Sequence, residues 1–373
     1  MTPHGGISTA SELLSRLQRI DHTKLELDQN VRNDALLLSK KLTASLEGPV
    51  NRATDLVFRP YITIAARIAV DLKLFESIAL LGGPISSAEL AAASGGDEVL
   101  ITRILRLLAS VEFVEESEPS TWSCNDTTVA MASAPIAAGH RIVFDVLVSS
   151  AMKAPKYLRE TGYKAPTEPN DGFVQYANQT KYNIFEYLQS IPSLFQDFNL
   201  FMGNTMGARE YWHEWYDVES RILSGFDGRL ILQDQVQVLE EVADEALPPN
   251  ISKLPHDFFA PQPIKETLGA RGYFLHHILH DWSDKYCHVI LKQLWEAMDP
   301  GYSKLLIHEL ILPDKGSAEI QARYDLVMMT FNGGMERSKA QWKKLLEDVG
   351  FCNIRIWEHF DSDGIIEAEV PLR

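Results

Sequence analysis

Residues Tyr273 to Asp284 read YFLHHILHDWSD, an apolar run of strand character that stops on His280, Asp281 and Trp282. Open α/β sheets place their chemistry at the carboxyl ends of strands, so a histidine there is a candidate catalytic group. Two acids downstream, Glu309 and Glu336, also follow apolar runs. An imidazole with a pKa near 6.5 can take a proton from a phenol or other acidic hydroxyl near neutral pH. Carboxylates beside it can hold its tautomer and stabilise the imidazolium. Taken singly, the histidine reads as structural and each acid as solvent-facing. The three together carry the functional reading.

Strand and helix alternate on either side of this stretch. RLILQD, from Arg229, is a short strand ending in Asp234, and SKLLIHEL follows from Ser303. IRIWEHF and IIEAEV flank Asp361-Ser362-Asp363-Gly364 and read as a terminal antiparallel hairpin, which makes this half α/β. An acid at a strand end, such as Asp234, matches the vicinal diol of a ribose, and it equally suits a helix cap. Asp257 with Phe258 could bond an adenine amino group and stack on its ring, or form a turn followed by a buried aromatic pair. His276, His277, His280 and His308 raise the question of a metal. On a strand, residues 277 and 280 point to opposite faces and no HExxH helix is present, so none is expected.

Upstream, Ser11 to about Leu46 has helical apolar spacing among charges, as in an arm that packs on a partner subunit. Ala53 to Glu118 reads as a compact helical unit. Ser86 and Glu89 have capping-box spacing, Gly95-Gly96 breaks the chain, EVLITRILRLLASV makes a second helix, and VEFVEE and TWSCND make two wing strands. This winged helix has a DNA-binding shape, but its second helix offers only Arg103 and Arg106, and 51 Asp and Glu against 35 Lys and Arg leave a net charge of -16. That balance repels phosphate and anionic lipid, so dimerisation is the expected role, with neither nucleic acid nor membrane as partner. From Thr128 to Met206 the pattern is helical, with Tyr176, Phe185, Phe195, Phe198 and Phe201 able to line a pocket for a flat apolar ligand or to form core. Cys124, Cys287 and Cys352 lie too far apart for a CxxC site, and no signal-like or spanning segment is seen, so a cytoplasmic protein is expected.

The LQD strand, the DFF segment, ILHDWSD, SKLLIHELILPD, MERS before a Trp-containing helix and the GF at Gly350 together resemble the plant- and fungal-type small-molecule O-methyltransferases that use S-adenosylmethionine. HDFFAPQP and LILQD give the resemblance a fungal character. It implies His280 as general base flanked by Glu309 and Glu336. It further implies Asp234 at the cofactor ribose, Asp257 and Phe258 at its adenine, and His276 where the family often carries a cofactor-touching Lys or Arg. Met328, Met329, Phe331 and Asn332 match the segment bordering the acceptor, expected to be aromatic or polyketide-like. The implied reaction is an SN2 methyl transfer without metal, in a homodimer formed through the N-terminal domain.

The expected fold is thus α/β, a Rossmann-like methyltransferase sheet with an N-terminal all-α winged-helix dimerisation domain. Residues 1–120 form the arm and winged helix, 121–210 a helical connector lining the substrate pocket, and 211–373 the methyltransferase domain. One departure stands out. Where the family has a strand and glycine-rich turn resembling VDVGGGxG, this chain runs EYWHEWYDVESRILSGFDGRLILQD, with Gly225 and Gly228 its only glycines there. That turn lets backbone N–H groups approach the cofactor, and its strand is central to the sheet. A parallel crossover needs about a dozen residues, which SRILSGF cannot supply. Three readings follow: a methyltransferase lacking an encoded segment, a repurposed pericyclase or dehydratase that works without the cofactor, or a non-catalytic dimer partner.

Overall fold

The computed structural model describes residues 9–205, 211–223, 228–243, 247–264, 269–359 and 363–372. The chain divides into two compact units, residues 1–140 and 141–373.

In the first unit, helices Ala10–Leu17 and Gln29–Leu46 form the arm. Ser86 caps helix Ser87–Ser94 through the expected reciprocal box with Glu89, and Asp97 caps Glu98–Ala109. The second of these helices buries Ile101, Ile104, Leu105 and Leu108, a three-and-four spacing that puts one stripe on the core. The wing has three strands rather than two, because β1 (Ile85–Ser86) pairs with β3 (Thr121–Ser123), which pairs with β2 (Glu115–Glu118). Trp122 is fully buried and donates its indole N–H to Ser87 Oγ at 2.9 Å, so its polar atom is satisfied. Glu115, Glu116 and Glu118 are exposed on the wing, the wrong charge for a phosphate backbone.

In the second unit, β6 (Gly272–His276), β7 (Lys304–Leu312), β10 (Asp363–Glu369) and β9 (Cys352–Glu358) lie side by side in that order, with β8 (Arg337–Ser338) paired to the end of β7. β6 runs parallel to β7, and β10 runs antiparallel to both β7 and β9, as the terminal hairpin requires. Residues 361 and 362 of its turn lie outside the described residues. Period-two alternation decides what each face meets. Leu305 and Ile307 of β7, with Ile366 and Ala368 of β10, face helices Asp284–Ala297 and Lys339–Val349, which contribute Cys287, Ile290, Leu291, Leu294, Trp342, Leu345 and Leu346. Leu306 and Ile365 instead meet Tyr216 and Ile222, with Trp212 and Trp215 around them. That preceding segment is anchored by Glu367, which is buried and takes Lys304 Nζ at 2.6 Å, Arg221 Nη2 at 2.5 Å and the Tyr216 hydroxyl at 3.1 Å. Three donors on one buried carboxylate offset its desolvation.

The other two strands of this unit stand apart. β4 (Leu230–Asp234) and β5 (Ile251–Pro255) pair in parallel as a separate two-stranded sheet, and among the described residues neither is bonded to β6. An interior parallel strand is covered on both faces, but Leu230, Ile231 and Leu232 are 51 %, 39 % and 37 % exposed. Residues 219–223 form a helical turn, so no strand precedes β4 there. Among the described residues no helix is long and apolar enough to cross a membrane.

Candidate active site

The strand carrying the opening motif ends at His276, four residues before His280. His277 takes a left-handed backbone with φ 50°, and Leu279–Asp281 form one turn of 3-10 helix. This corrects the strand geometry assumed for residues 277 and 280. Their rings lie 5.3 Å apart, and ligating atoms of His277, His280 and Glu309, like those of His276, His277 and His308, fall within 4.8 Å of one another.

Glu309 comes from the middle of β7 and is fully buried. Its Oε1 accepts the backbone N–H groups of Ile278, Leu279 and His280 at 3.0, 2.8 and 3.3 Å, and its Oε2 lies 3.5 Å from His280 Nδ1. The first turn of a helix leaves such N–H groups without acceptors, and the carboxylate supplies one. Glu309 therefore builds the turn that carries the histidine. Glu336 sits at the mouth of β8, with its backbone N–H on Asp325 Oδ1, and places Oε1 3.0 Å from His280 Nδ1. With Nδ1 so engaged, Nε2 is the nitrogen left to face a reactant.

Nε2 lies 3.6 Å from Asp281 Oδ1, a carboxylate that sequence reasoning passed over. Burial alone depresses His280, but the charges of Glu309 and Asp281 and the bond to Glu336 reverse this and push its pKa up to about 10. Burial pushes the Asp281 carboxyl up to about 7 against the pull of His280, and burial likewise raises Glu336. The resting imidazole is therefore an imidazolium at neutral pH, rather than the neutral base that an ordinary pKa of about 6.5 implies.

Two further residues hold this turn. Arg337, fully buried, donates to the carbonyls of Leu279 (3.0 Å), Trp282 (2.9 Å) and Met335 (3.3 Å) and to Asp284 Oδ1 (2.9 Å), with the Trp342 ring 5.1 Å away. Gly334 passes so close that a Cβ there would lie 2.1 Å from the His280 carbonyl oxygen, so only glycine fits. MERS contains the arginine, but nothing in the sequence gives its burial.

Of the expected acceptor residues, all four lie on helix Glu319–Asn332. Phe331 is buried, stacks on Phe198 (6.0 Å) and meets Phe185 edge-on (5.4 Å). Phe195 and Phe201 pack on the same cluster. Asn332 is 3 % exposed with neither side-chain amide atom hydrogen-bonded, an uncommon state for a buried amide. Met328 and Met329 are half-buried and give their carbonyls to the N–H groups of Gly334 and Gly333.

The β4–β5 pairing brings the Asp234 and Asp257 segments together, with the His256 N–H on the Asp234 carbonyl at 3.0 Å, but among the described residues no strand bond ties them to β6, which ends at His276. Asp234 Oδ1 takes the N–H of Gln235 at 2.7 Å, and Asp257 Oδ1 that of Phe259 at 3.0 Å, so both act as local turn caps. Phe258 meets Phe259 and Trp282 edge-on, at 4.9 and 5.9 Å. His276, exposed at the end of β6, holds its Nδ1 2.7 Å from His308 Nδ1, and partial desolvation with the neighbouring imidazoles lowers its pKa. A neutral ring thus stands where the family resemblance places a cation. With the β4–β5 pair separate from β6, these groups do not fit S-adenosylmethionine as a complete site.

Residues 230–352 match the O-methyltransferase domain model, and residues 55–133 match the O-methyltransferase dimerisation domain model. The chain is 43 % identical to O-methyltransferase penC of Penicillium thymicola over 387 aligned residues, covering 95 % of this chain and 96 % of the relative. It is 45 % identical to O-methyltransferase asqD of Emericella nidulans over 342 aligned residues, covering 83 % of this chain and 87 % of the relative. Among solved structures it is similar to one described as a pericyclic reaction enzyme, with TM-score 0.82, 25 % identity, and coverage of 96 % of this chain and 98 % of that one.

Proposed function

Because this chain belongs to the S-adenosylmethionine-dependent O-methyltransferases of fungal secondary metabolism, we propose that it acts on a hydroxyl of an aromatic or polyketide-type small molecule, with His280 moving the hydroxyl proton. The observation that carries this is the fixing of His280 Nδ1 by Glu336 at 3.0 Å above a turn built by Glu309, which leaves Nε2 for the acceptor. A pKa of about 10 on His280 matches that of a phenol, also about 10, so once one proton of the imidazolium–phenol pair has left to solvent, the one that remains is shared on nearly equal terms and settles on His280 beside the phenolate. Phe331 and the unpaired amide of Asn332 suit an apolar ring bearing one polar substituent. Residues 121–210 contribute the aromatic wall and 211–373 the chemistry, while 1–120 carries the dimer contact. Exposed Leu36, Leu37, Leu46, Leu56, Val57 and Phe58 suit a second copy of this chain, and a reducing cytoplasm suits its three free cysteines.

S-adenosylmethionine is the methyl source of the family, and among the described residues its site is not assembled. What His280 does is separable from it. A phenolic acceptor should bind with its ionised form stabilised beside the imidazolium, seen as the red-shifted absorption of a bound phenolate near pH 8. The His280→Asn variant should bind the phenol without that shift, and equal ionisation in both proteins would refute the assignment. The raised pKa also favours a second reading. An imidazolium is a proton donor, as a pericyclase-like or dehydratase reaction needs, and product formation without S-adenosylmethionine would select it over O-methylation.

A further inference from the structure

The disagreement between the two parts of the second unit has a definite size. The penC alignment fills 387 positions with 95 % of this chain's 373 residues, about 354, so about 33 positions of the relative have no residue here. The asqD alignment fills 342 positions with 83 %, about 310, which leaves about 32. A strand, a tight turn and a parallel crossover helix take on the order of thirty residues. The family model's match begins at residue 230, the first residue of β4, just after the stretch where the glycine turn is missing.

The fold shows the same deficit. β4 bonds to β5 and β6 to β7, each in parallel, and among the described residues each has one free edge. Apolar side chains are left in the open on both, with Leu230 at 51 % and Phe274 at 40 % exposure, although interior parallel strands are covered on both faces. Both runs are therefore written for a parallel neighbour that this chain does not supply.

We infer that this chain lacks one internal strand-turn-helix segment of roughly thirty residues, that the missing strand belongs between β4 and β6, and that its return would restore methyl-donor binding. The inference rests on the family assignment and is independent of the role given to His280. Among the described residues, no strand bond holds the end of β4 that carries Asp234 in register with the end of β6 that leads to His280, and no run of backbone N–H groups lies between them to meet the donor's carboxylate.

The test is calorimetric titration of S-adenosylmethionine into the full chain and into a chimera carrying the corresponding penC segment immediately before Arg229. The chimera should bind at least about a hundredfold more tightly than the chain itself. Equal affinity in the two proteins would overturn the inference. If the chimera does not fold, the unmodified chain decides the matter against penC. Affinity within tenfold of penC would overturn the inference, and affinity at least a hundredfold weaker would support it. Loss of phenol ionisation in the acceptor assay would defeat the proton-transfer reading and leave this result untouched.

Discussion

β7 and β4 are both short apolar strands, yet they have opposite fates. From Leu305 to Ile311 every residue of β7 is buried, including His308 and Glu309, because parallel β6, antiparallel β10 and two helices enclose it. Leu230, Ile231 and Leu232 of β4 are all more than a third exposed, with one bonded neighbour among the described residues. Strand composition is therefore a weak guide to what a strand does. The neighbours decide whether its end residue becomes a buried chemical group, as with Glu309, or a local cap, as with Asp234.

The contrast can be broken by core truncation. Leu305→Ala should cost about 4 kcal/mol, as large-to-small changes in packed cores do, whereas Leu232→Ala should cost less than about 1 kcal/mol. Equal shifts in urea midpoint would mean that β4 is as well packed as β7. Next in size is Glu309→Ala, expected to cost about 3 kcal/mol because it strands the N–H groups of Ile278 and Leu279 in a dry site. Gly334→Ala should cost about 2 kcal/mol by forcing backbone away from His280. A variant as stable as the parent would show that this approach is looser than 2.1 Å implies.

Smaller effects should appear with pH. The folded-state pKa of His280, about 10, lies above its ordinary value of about 6.5. Its bound proton therefore stabilises the fold in full below about pH 6.5, and that contribution is lost as pH rises through about 10. The melting temperature should fall between pH 7 and 10. Glu336→Gln, which removes one charge that raises His280, should make the fall shallower and move the His280 titration seen by NMR downward. An unchanged titration would mean that Glu336 does not govern this imidazole.

Much of the reactive half could be read from the sequence, because its signals are local or periodic. The Ser86 and Glu89 spacing gave the cap, the alternation in SKLLIHEL gave β7, and the run into His280 with Glu309 and Glu336 gave three residues that meet within one site. Arg337 and Asp281 were given no role, because the burial of both, and for Arg337 the carbonyls it meets from residues more than fifty positions upstream, come only with the fold. His280 kept its expected place with a different protonation state, since its pKa is set by three carboxylates from separate segments. The donor half was legible mainly through its gap. Asp234 and the Asp257 segment meet across the β4–β5 pair and Phe258 packs on Trp282, but among the described residues no strand bonds that pair to β6.

The sheet around β7 is closed on both sides while the β4–β5 pair stands open, a difference that hydrogen exchange on the full chain reads strand by strand. Backbone amides of Leu230–Asp234 and of residues 251–254 should exchange at least about a hundredfold faster than those of Lys304–Leu312, a gap of about 2.7 kcal/mol in opening free energy. Equal protection in the three strands would contradict the account.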